Sequence, residues 1–599
     1  MDSPVSAFAM YKNTKQSTPK HDKKKKKRKV NNSNAQKPLS RILNDNGKNV
    51  AQKIKNKQKK TKETKNIIKK KTHKKKKLKS NTSKRVKNVE NSLNHSVGND
   101  TIDEEDSDSE EVPVLIPAPI PNNGISTSSH EDDVNSYSSN GEMEMTPVTT
   151  NSSEEALKVF KWMIAPYSYS DFFRSVWEKK PLHIVRNKPK YYNDLISTPL
   201  IDNMLRTENI QYTKNIDITS YEDGKRETHN PVGRALPHTV WDFYLQGCSI
   251  RLLNPQTYMP KLHLLNATLQ EHFTSFVGAN AYLTPPDSQG FAPHYDDIEA
   301  FILQAEGKKH WRIYKPLNEA ELLPRVSSKN FSEIEIGDPI MEVILQAGDM
   351  LYFPRGYIHQ GVTIDGEHSL HVTISMYQKQ SWADLFEKML PAALELAINE
   401  EPVFRQGVPF DIHDNFGLVY SDLTTPRRVE MEEFMKNLFH KIKSYLPMDG
   451  AVDQMCKKFQ HDALPPVLSD TEKACTVYGD TDVMAENGKV INRVEMSLDT
   501  KIRLLRKNIL RMVSEDSIKI YYYTENSLEY HGHELSFLEI DEELAPAVET
   551  LITTYPEYVS IENLDVPNDS DKMQIADALW ARGLIMTEYP LDDRHYKRN

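Results

Sequence analysis

Two short stretches carry side chains whose types and spacing suit a bound metal. One is Gln289-Gly-Phe-Ala-Pro-His294-Tyr-Asp296-Asp-Ile-Glu299, the other Gly348-Asp349-Met-Leu-Tyr-Phe-Pro354-Arg-Gly356-Tyr-Ile-His359. Residues i and i+2 of an extended chain point to the same side, so His294 and Asp296 can aim one imidazole nitrogen and one carboxylate oxygen at one point. His359, 63 residues after Asp296 (359 − 296), supplies a third donor. Two histidines and a carboxylate on one face of an octahedron leave positions open for a cosubstrate and oxygen, as in non-haem Fe(II) sites. Asp297 points to the opposite face and is left out of the set. Each piece alone has a plainer reading, because a lone His-x-Asp is most often a surface hydrogen-bonded pair and a lone histidine is most often packed or solvated. The joint pattern carries the inference. An aromatic-Ala-Pro turn precedes His294 and a strand-like Ala300-Phe-Ile-Leu-Gln304 follows it. A Gly348-Asp349 turn, the apolar strand Met350–Phe353 and a Pro354-Arg-Gly356 break then lead to His359.

With its neighbours, this pattern resembles the JmjC-type Fe(II)- and 2-oxoglutarate-dependent oxygenases from about residue 247 to 378, and among them the ribosomal oxygenase subgroup. The residues that carry the likeness are Ser249-Ile-Arg251-Leu-Leu-Asn-Pro255, Gly278-Ala-Asn280-Ala-Tyr282-Leu-Thr-Pro-Pro286, Gln289 to Phe301, Glu306-Gly-Lys-Lys309-His-Trp311-Arg-Ile-Tyr314 and Gly348 to Gln360. The resemblance implies Fe(II) on His294, Asp296 and His359, with 2-oxoglutarate and O2 as cosubstrates. It also implies that Lys309, on a strand expected to follow a Glu306-Gly307 turn, pairs with the distal carboxylate of 2-oxoglutarate. A buried dianion needs a cation at its far end, and strand alternation puts Lys308 and Lys309 on opposite faces, so only one of them points inward. Asn280, Tyr282, His371, Thr373 and Ser375 fall on strands that line the same pocket. Asn280 and Tyr282 are the first choices as hydrogen-bonding groups for cosubstrate or substrate. Arg251 and Ser375 are the candidates facing substrate. Barrel filling, or for Arg251 a surface position, is the plain alternative for each.

The chain has 599 residues, 38% hydrophobic and 27% charged, which suits globular domains plus a polar tail. Its net charge of −8 conceals an asymmetry: residues 1–100 hold 31 Lys+Arg against 6 Asp+Glu, leaving 46 against 79 for the remainder. Residues 1–150 read as a disordered tail, poor in large apolar side chains. The runs Lys23–Lys29 and Lys69–Lys79 read as nuclear and nucleolar signals that can also contact RNA or DNA through phosphate. No aromatic residues interleave them, so base stacking is not expected. Asp103 to Glu111 is an acidic linker with Ser107 and Ser109 inside it. Cys248, Cys456 and Cys475 are too far apart to form a disulfide framework or zinc cluster, which fits a reducing compartment. No stretch is apolar enough to span a membrane, and the start lacks the order of a secretory signal.

The expected fold is α+β. Residues 151–246 form the entry part of the catalytic domain, with helices after Ser152 and Ser170. A jelly-roll barrel, the double-stranded β-helix, occupies 247–380. Amphipathic helices in 381–465, with apolar residues at i, i+3, i+4 and i+7, resemble the family's dimerisation segment, a lid on the same barrel being the alternative. Residues 466–599 resemble its winged-helix-like end domain, with helix expected over 500–513, strand over 518–524 and helices over 545–555 and 573–582. Its acidic character argues for protein contact over DNA readout.

The function this implies is a protein oxygenase acting on basic nuclear proteins: histidyl hydroxylation of a large-subunit ribosomal protein, histone lysine demethylation, or both. An acidic body would attract such substrates. Two other classes remain open. One is a catalytically silent chromatin or pre-ribosome adaptor, against which the intact triad and Lys309 weigh. The other is a small-molecule metal-cupin enzyme, against which the basic tail and extra domains weigh.

Overall fold

A computed structural model describes residues 150–592, apart from 365, 480–481 and 530–533. The expectations placed on the basic and acidic runs lie outside the described residues.

The ordered part begins with helix α1 (Ser152–Ile164), capped by Asn151, whose side chain accepts from Ser153 N. Ala156, Val159, Phe160 and Met163 form its buried stripe. Helix α2 (Tyr169–Ser175) starts at Ser168, whose hydroxyl accepts from Asp171 N, and buries Phe172 and Phe173. Strand β1 (Leu182–Ile184) then pairs antiparallel with β8 (Met350–Phe353). Trp177 stacks on Tyr352 with ring centroids 6.1 Å apart, and Phe172 lies edge-on to the same tyrosine at 5.0 Å. These aromatic contacts hold the strand leading to His359 from behind.

The main sheet takes β1 and β8 at one end and runs through β6 (Glu299–Tyr314), β10 (Ser369–Met376), β5 (Gly278–Thr284) and β4 (Ser249–Leu252) to β2 (Ile216–Glu222) and β3 (Lys225–Thr228). The far half of β6 pairs with β7 (Met341–Gln346) and β9 (Ile358–Thr363), so the long strand serves two sheets and closes a jelly-roll. A turn at Glu306-Gly307 was the expectation. Instead, β6 continues through this point. Gly307 takes φ +63, and a Cβ there would meet the His368 carbonyl oxygen at 1.8 Å, so only glycine permits the kink. The register of β10 against β6 shifts alongside, between Leu370 and His371. Beyond the kink β6 keeps its ladder by changing partners: Lys309 sits opposite both Leu345 and Thr363.

The turn before β8 is fixed by another glycine. Gly348 has φ +91, and a Cβ would lie 2.0 Å from the Lys188 carbonyl oxygen. Asp349 beside it accepts from Arg186 N at 2.9 Å and Gln346 N at 3.1 Å, and those hydrogen bonds, with His183 beside it, hold its carboxyl below the usual range despite the cost of burial.

After the barrel come two long helices, Trp382–Glu400 and Pro426–Ile442. Ser381 and Asp384 close the first with a reciprocal capping box. The C-terminal part holds the strands Lys501–Leu504, Leu510–Ser514, Ile518–Tyr522 and Phe537–Ile540 and the helices Ala545–Thr554 and Asp569–Trp580. The helix expected over 500–513 is instead two strands. Ile502 and Leu504 are buried in a sheet with Ile585 and Thr587, and Leu510 to Ser514 pair with Ile518 to Tyr522. A run of apolar residues interrupted by charges satisfies either period, and tertiary pairing decided it. Buried Glu271, next to the end of the helix Pro260–Phe273, ties this part to the barrel by accepting from Ser152 Oγ, Tyr523 OH and Asn508 N. Among the described residues no helix is long and apolar enough to cross a membrane.

Candidate active site

His294 lies in the loop before β6, held in extended form by an isolated bridge to β9: His359 N donates to His294 O at 2.9 Å, and His294 N to His359 O at 3.3 Å. The bridge puts the two imidazoles side by side with ring centroids 4.5 Å apart. Asp296 follows, its backbone carbonyl accepting from Gly356 N at 3.1 Å. One donor atom from each of His294, Asp296 and His359 lies within 4.8 Å of the others. Nε2 of His294 is 3.9 Å and Nε2 of His359 3.8 Å from the Asp296 carboxylate.

The other ring nitrogens are already engaged. His294 Nδ1 is 2.8 Å from Ala292 O and His359 Nδ1 is 3.1 Å from Tyr357 O. An Nδ1–H donating to each carbonyl leaves the Nε2 lone pair facing Asp296, as metal-ligating histidines require. Burial, reinforced by His294, pushes the His359 imidazolium down to about 4, so this ring stays neutral and able to ligate. Among the described residues no lysine or arginine pairs with Asp296. Two imidazoles and a carboxylate converging without a competing lysine or arginine suit a divalent first-row metal. Asp297 turns away and accepts from Ser327 Oγ at 2.6 Å and Gln378 Nε2 at 3.0 Å.

The triad opens on a cavity of about 440 Å³. Lys309 enters it from β6 and is only 4% exposed. Its Nζ donates to Thr284 Oγ1 at 3.2 Å and sits 5.6 Å from the Trp311 ring centroid, with no acidic partner among the described residues. Burial alone pulls its ammonium down to about 7. Its neighbour Lys308 points outward to Glu367 at 3.0 Å. Gly361 makes room for Lys309: a Cβ there would lie 3.0 Å from Lys309 Cε and 3.2 Å from the Trp311 ring.

Asn280, Tyr282, Arg251 and Ser375 all line the same cavity. The Asn280 amide is oriented with its nitrogen donating to Leu253 O at 2.6 Å. Tyr282 stacks on His371 at 4.9 Å and meets Phe291 edge-on at 5.3 Å. Arg251 pairs with Asp217. Ser375 sits opposite Gly278 in the ladder, with Thr373 and His371 on the same face. Sequence reasoning missed Arg226, Gly361 and Trp311 as parts of this wall. For Arg226 no local signal existed, since it arrives on a hairpin far from the motifs.

It also missed a buried charge cluster behind the triad. Glu299 is fully buried, and burial pushes its carboxyl up to about 7. Arg355 donates to Glu299 at 2.8 Å and to Glu178 at 2.7 Å, and Tyr352 OH donates to Glu299. The cluster anchors the Pro354–Gly356 turn that touches Asp296 O. Breaking a buried pair from one side strands a charge, at about 3–5 kcal/mol. Arg355→Leu is therefore expected to lower stability by about that amount and to loosen metal binding with it. Urea unfolding checks the first effect, and metal titration of the folded fraction the second.

A family model for the JmjC domain matches residues 251–385, and one for the C-terminal winged helix domain of ribosomal oxygenase 1 matches 464–591. Relatives align over most of the chain. The bifunctional lysine-specific demethylase and histidyl-hydroxylase NO66 of Aedes aegypti is 54% identical over 428 residues, 71% of this chain and 67% of the relative. Ribosomal oxygenase 1 of Danio rerio is 48% identical over 442 residues, 74% and 81% of the two chains. A jelly-roll bearing a His-Asp-His constellation, a winged-helix end and near-half identity over most of both lengths place this chain in the JmjC ribosomal oxygenase family of Fe(II)- and 2-oxoglutarate-dependent dioxygenases.

Proposed function

We propose that this chain hydroxylates basic nuclear proteins, with a histidine of a large-subunit ribosomal protein, a methyl-lysine of a histone tail, or both as targets. The relatives' names carry both activities. In this reading His294, Asp296 and His359 hold Fe(II), the two histidines through Nε2. Lys309 anchors the far carboxylate of 2-oxoglutarate, with Asn280 and Tyr282 beside it. Arg251 and Ser375 face the substrate. The observation that carries the reading is one cavity that reaches both the three converging donors and a buried lysine with no acid of its own.

The bound metal supplies oxidation by O2 coupled to loss of CO2 from 2-oxoglutarate, so that substrate C–H, 2-oxoglutarate and O2 become C–OH, succinate and CO2. The protein's part is positional. The bridge between His294 and His359 sets the angle between two donors, and Lys309 fixes the cosubstrate's far end. Trp311, His371 and Tyr282 line the cavity beside Lys309.

Mass spectrometry of ribosomal proteins and histone tails after incubation with purified protein, Fe(II), 2-oxoglutarate and O2 tests this directly. One added oxygen atom on a ribosomal histidine, lost in His294→Ala, supports hydroxylation. Loss of methyl groups from histone lysine supports demethylation. Neither product, with no succinate formed, returns the silent adaptor.

We also propose that the chain forms a homodimer through its helical segment. Trp382, Phe386, Leu390 and Leu394 recur every four residues on one helix and stay exposed, as do Phe434 and Phe439 on the other. Burying a large apolar side chain is worth about 1.5–3 kcal/mol. Phe386→Glu with Leu390→Glu is expected to weaken self-association about a hundredfold or more. Light scattering across a dilution series reads this, and a variant that associates like the parent would point to a lid role instead. The basic runs support nuclear and nucleolar import with non-specific RNA or DNA contact. A fluorescent fusion lacking residues 1–100 is expected to lose nuclear accumulation.

A further inference from the structure

One wall of the cavity is built on the hairpin of β2 and β3, outside the segment that matches the JmjC family model. Asp223 and Gly224 at its tip both have positive φ, +50 and +75, the conformation of a tight two-residue turn that follows strand twist. This hairpin delivers Arg226 to the cavity wall. Its guanidinium carbon lies 4.4 Å from the centroid of Phe291, whose ring is in turn 6.4 Å from that of His294. The Arg226 Nε is buried without a hydrogen-bond partner, and no ion pair to Arg226 occurs among the described residues.

Arg251 sits beside it, 5.5 Å from the same Phe291 ring. One carboxylate, Asp217, serves this pair of cations, and it is committed to Arg251 and to Asn230 Nδ2 at 2.7 Å. Burial, and then Arg251, lower the pKa of Arg226, and Asp217 offsets only part of this. Of the two carboxylates that line the cavity, Asp296 belongs to the triad and Asp297 accepts from Ser327 and Gln378.

Three of the aromatic rings that line the cavity, Phe291, Tyr282 and Trp311, are also covered. Both arginines lie against Phe291, His371 stacks on Tyr282, and Lys309 and His371 approach Trp311. A methylated ammonium is recognised by open aromatic faces and nearby anions. Here most ring faces are covered, the two carboxylates of the lining, Asp296 and Asp297, are turned to the histidines and to Ser327 and Gln378, and Arg226 presents surplus hydrogen-bond donors. Such a surface fits a peptide that offers carbonyl oxygens and a neutral side chain.

We infer that Arg226 is a specificity-determining residue: its guanidinium, held over the Phe291 ring, takes an acceptor on the substrate peptide and admits a neutral target side chain in preference to a methylated lysine ammonium. This deepens the oxygenase reading above and rests on it for its substrate, but it can fail separately, because selection is a property of binding and turnover is not needed to read it.

The test is fluorescence anisotropy on the full chain. The probes are two labelled peptides with identical uncharged flanks, one with histidine at the centre and one with trimethyl-lysine, at a pH above the histidine range. The wild type is expected to bind the histidine peptide at least about tenfold more tightly, since a like charge at a half-buried site costs on that order. Arg226→Gln is expected to bring the ratio near one. Arg226→Lys keeps the charge but loses the flat fork, so it keeps rejecting the ammonium while binding the histidine peptide more weakly. A merely structural role would move the melting temperature and leave the ratio alone. Equal or absent binding of both peptides by the wild type, or a ratio unchanged in Arg226→Gln, overturns the inference. Should Arg226→Gln fail to fold, a wild-type preference retained in Arg226→Lys with unweakened histidine-peptide binding overturns it as well. Succinate release, measured apart, reports on the oxygenase reading alone.

Discussion

Asp296→Ala is expected to abolish succinate formation, lowering kcat/KM by about a thousandfold or more. A polarising metal is worth several kcal/mol to the reaction it serves, and each 1.36 kcal/mol is tenfold in rate. Asp296 is the one carboxylate beside two imidazoles, so its loss removes the charge that would hold a dication as well as one coordinating atom. Metal binding should fall with it. Binding to the folded state at a hundred times the dissociation constant stabilises by about 2.7 kcal/mol, so thermal unfolding with and without Mn(II) should show a clear gain for the wild type and almost none for the variant. Asp297→Asn is the matched control, because its carboxylate serves Ser327 and Gln378. It should keep both metal response and turnover. Full activity in Asp296→Ala, or equal loss in both variants, would sink the assignment of the triad.

Lys309→Met is expected to raise the KM for 2-oxoglutarate by about ten- to a hundredfold while leaving metal affinity unchanged. A hydrogen bond to a charged group is worth about 1.5–3 kcal/mol. The pH dependence gives a sharper signature. Burial pulls the Lys309 ammonium down to about 7 in the unliganded protein, and a bound dianion favours its charged form. Below about pH 7 the lysine is already protonated, and the KM should be flat. Above it, binding must take up a proton, so the KM should rise by up to tenfold per pH unit until the pKa of the bound state is reached. Lys309→Met should bind weakly at every pH and lose that slope. A wild-type KM that is flat from pH 6 to 9 would show that the cosubstrate does not use this lysine.

Much of the centre was legible without coordinates because it rests on short-range geometry. An i, i+2 pair on an extended chain puts His294 and Asp296 on one side whatever surrounds them. Strand alternation separates Lys308 from Lys309, and the structure turns the first to Glu367 and the second into the cavity. The helices after residue 381 announced themselves by a period that persists over several turns. In each case the signal lay within a few residues and needed no partner.

What remained hidden depended on partners distant in the chain. Gly307 looked like a turn because glycine commonly makes one. It became a kink because β6 found new strands, β7 and β9, on which to continue its hydrogen bonds. Thr500 to Val513 reads as helical because its apolar spacing fits either period, and pairing with Ile585 to Thr587 and with Ile518 to Tyr522 made two strands of it. The Glu299–Arg355–Glu178 cluster, and the placement of Arg226 over a ring 65 residues away (291 − 226), have no sequence signature at all. The chain's own residues thus determined which chemistry is available, through donor type and local spacing. The tertiary structure decided which side chains stand at the mouth and which charges go uncompensated, because burial and long-range contact are properties of the packed whole.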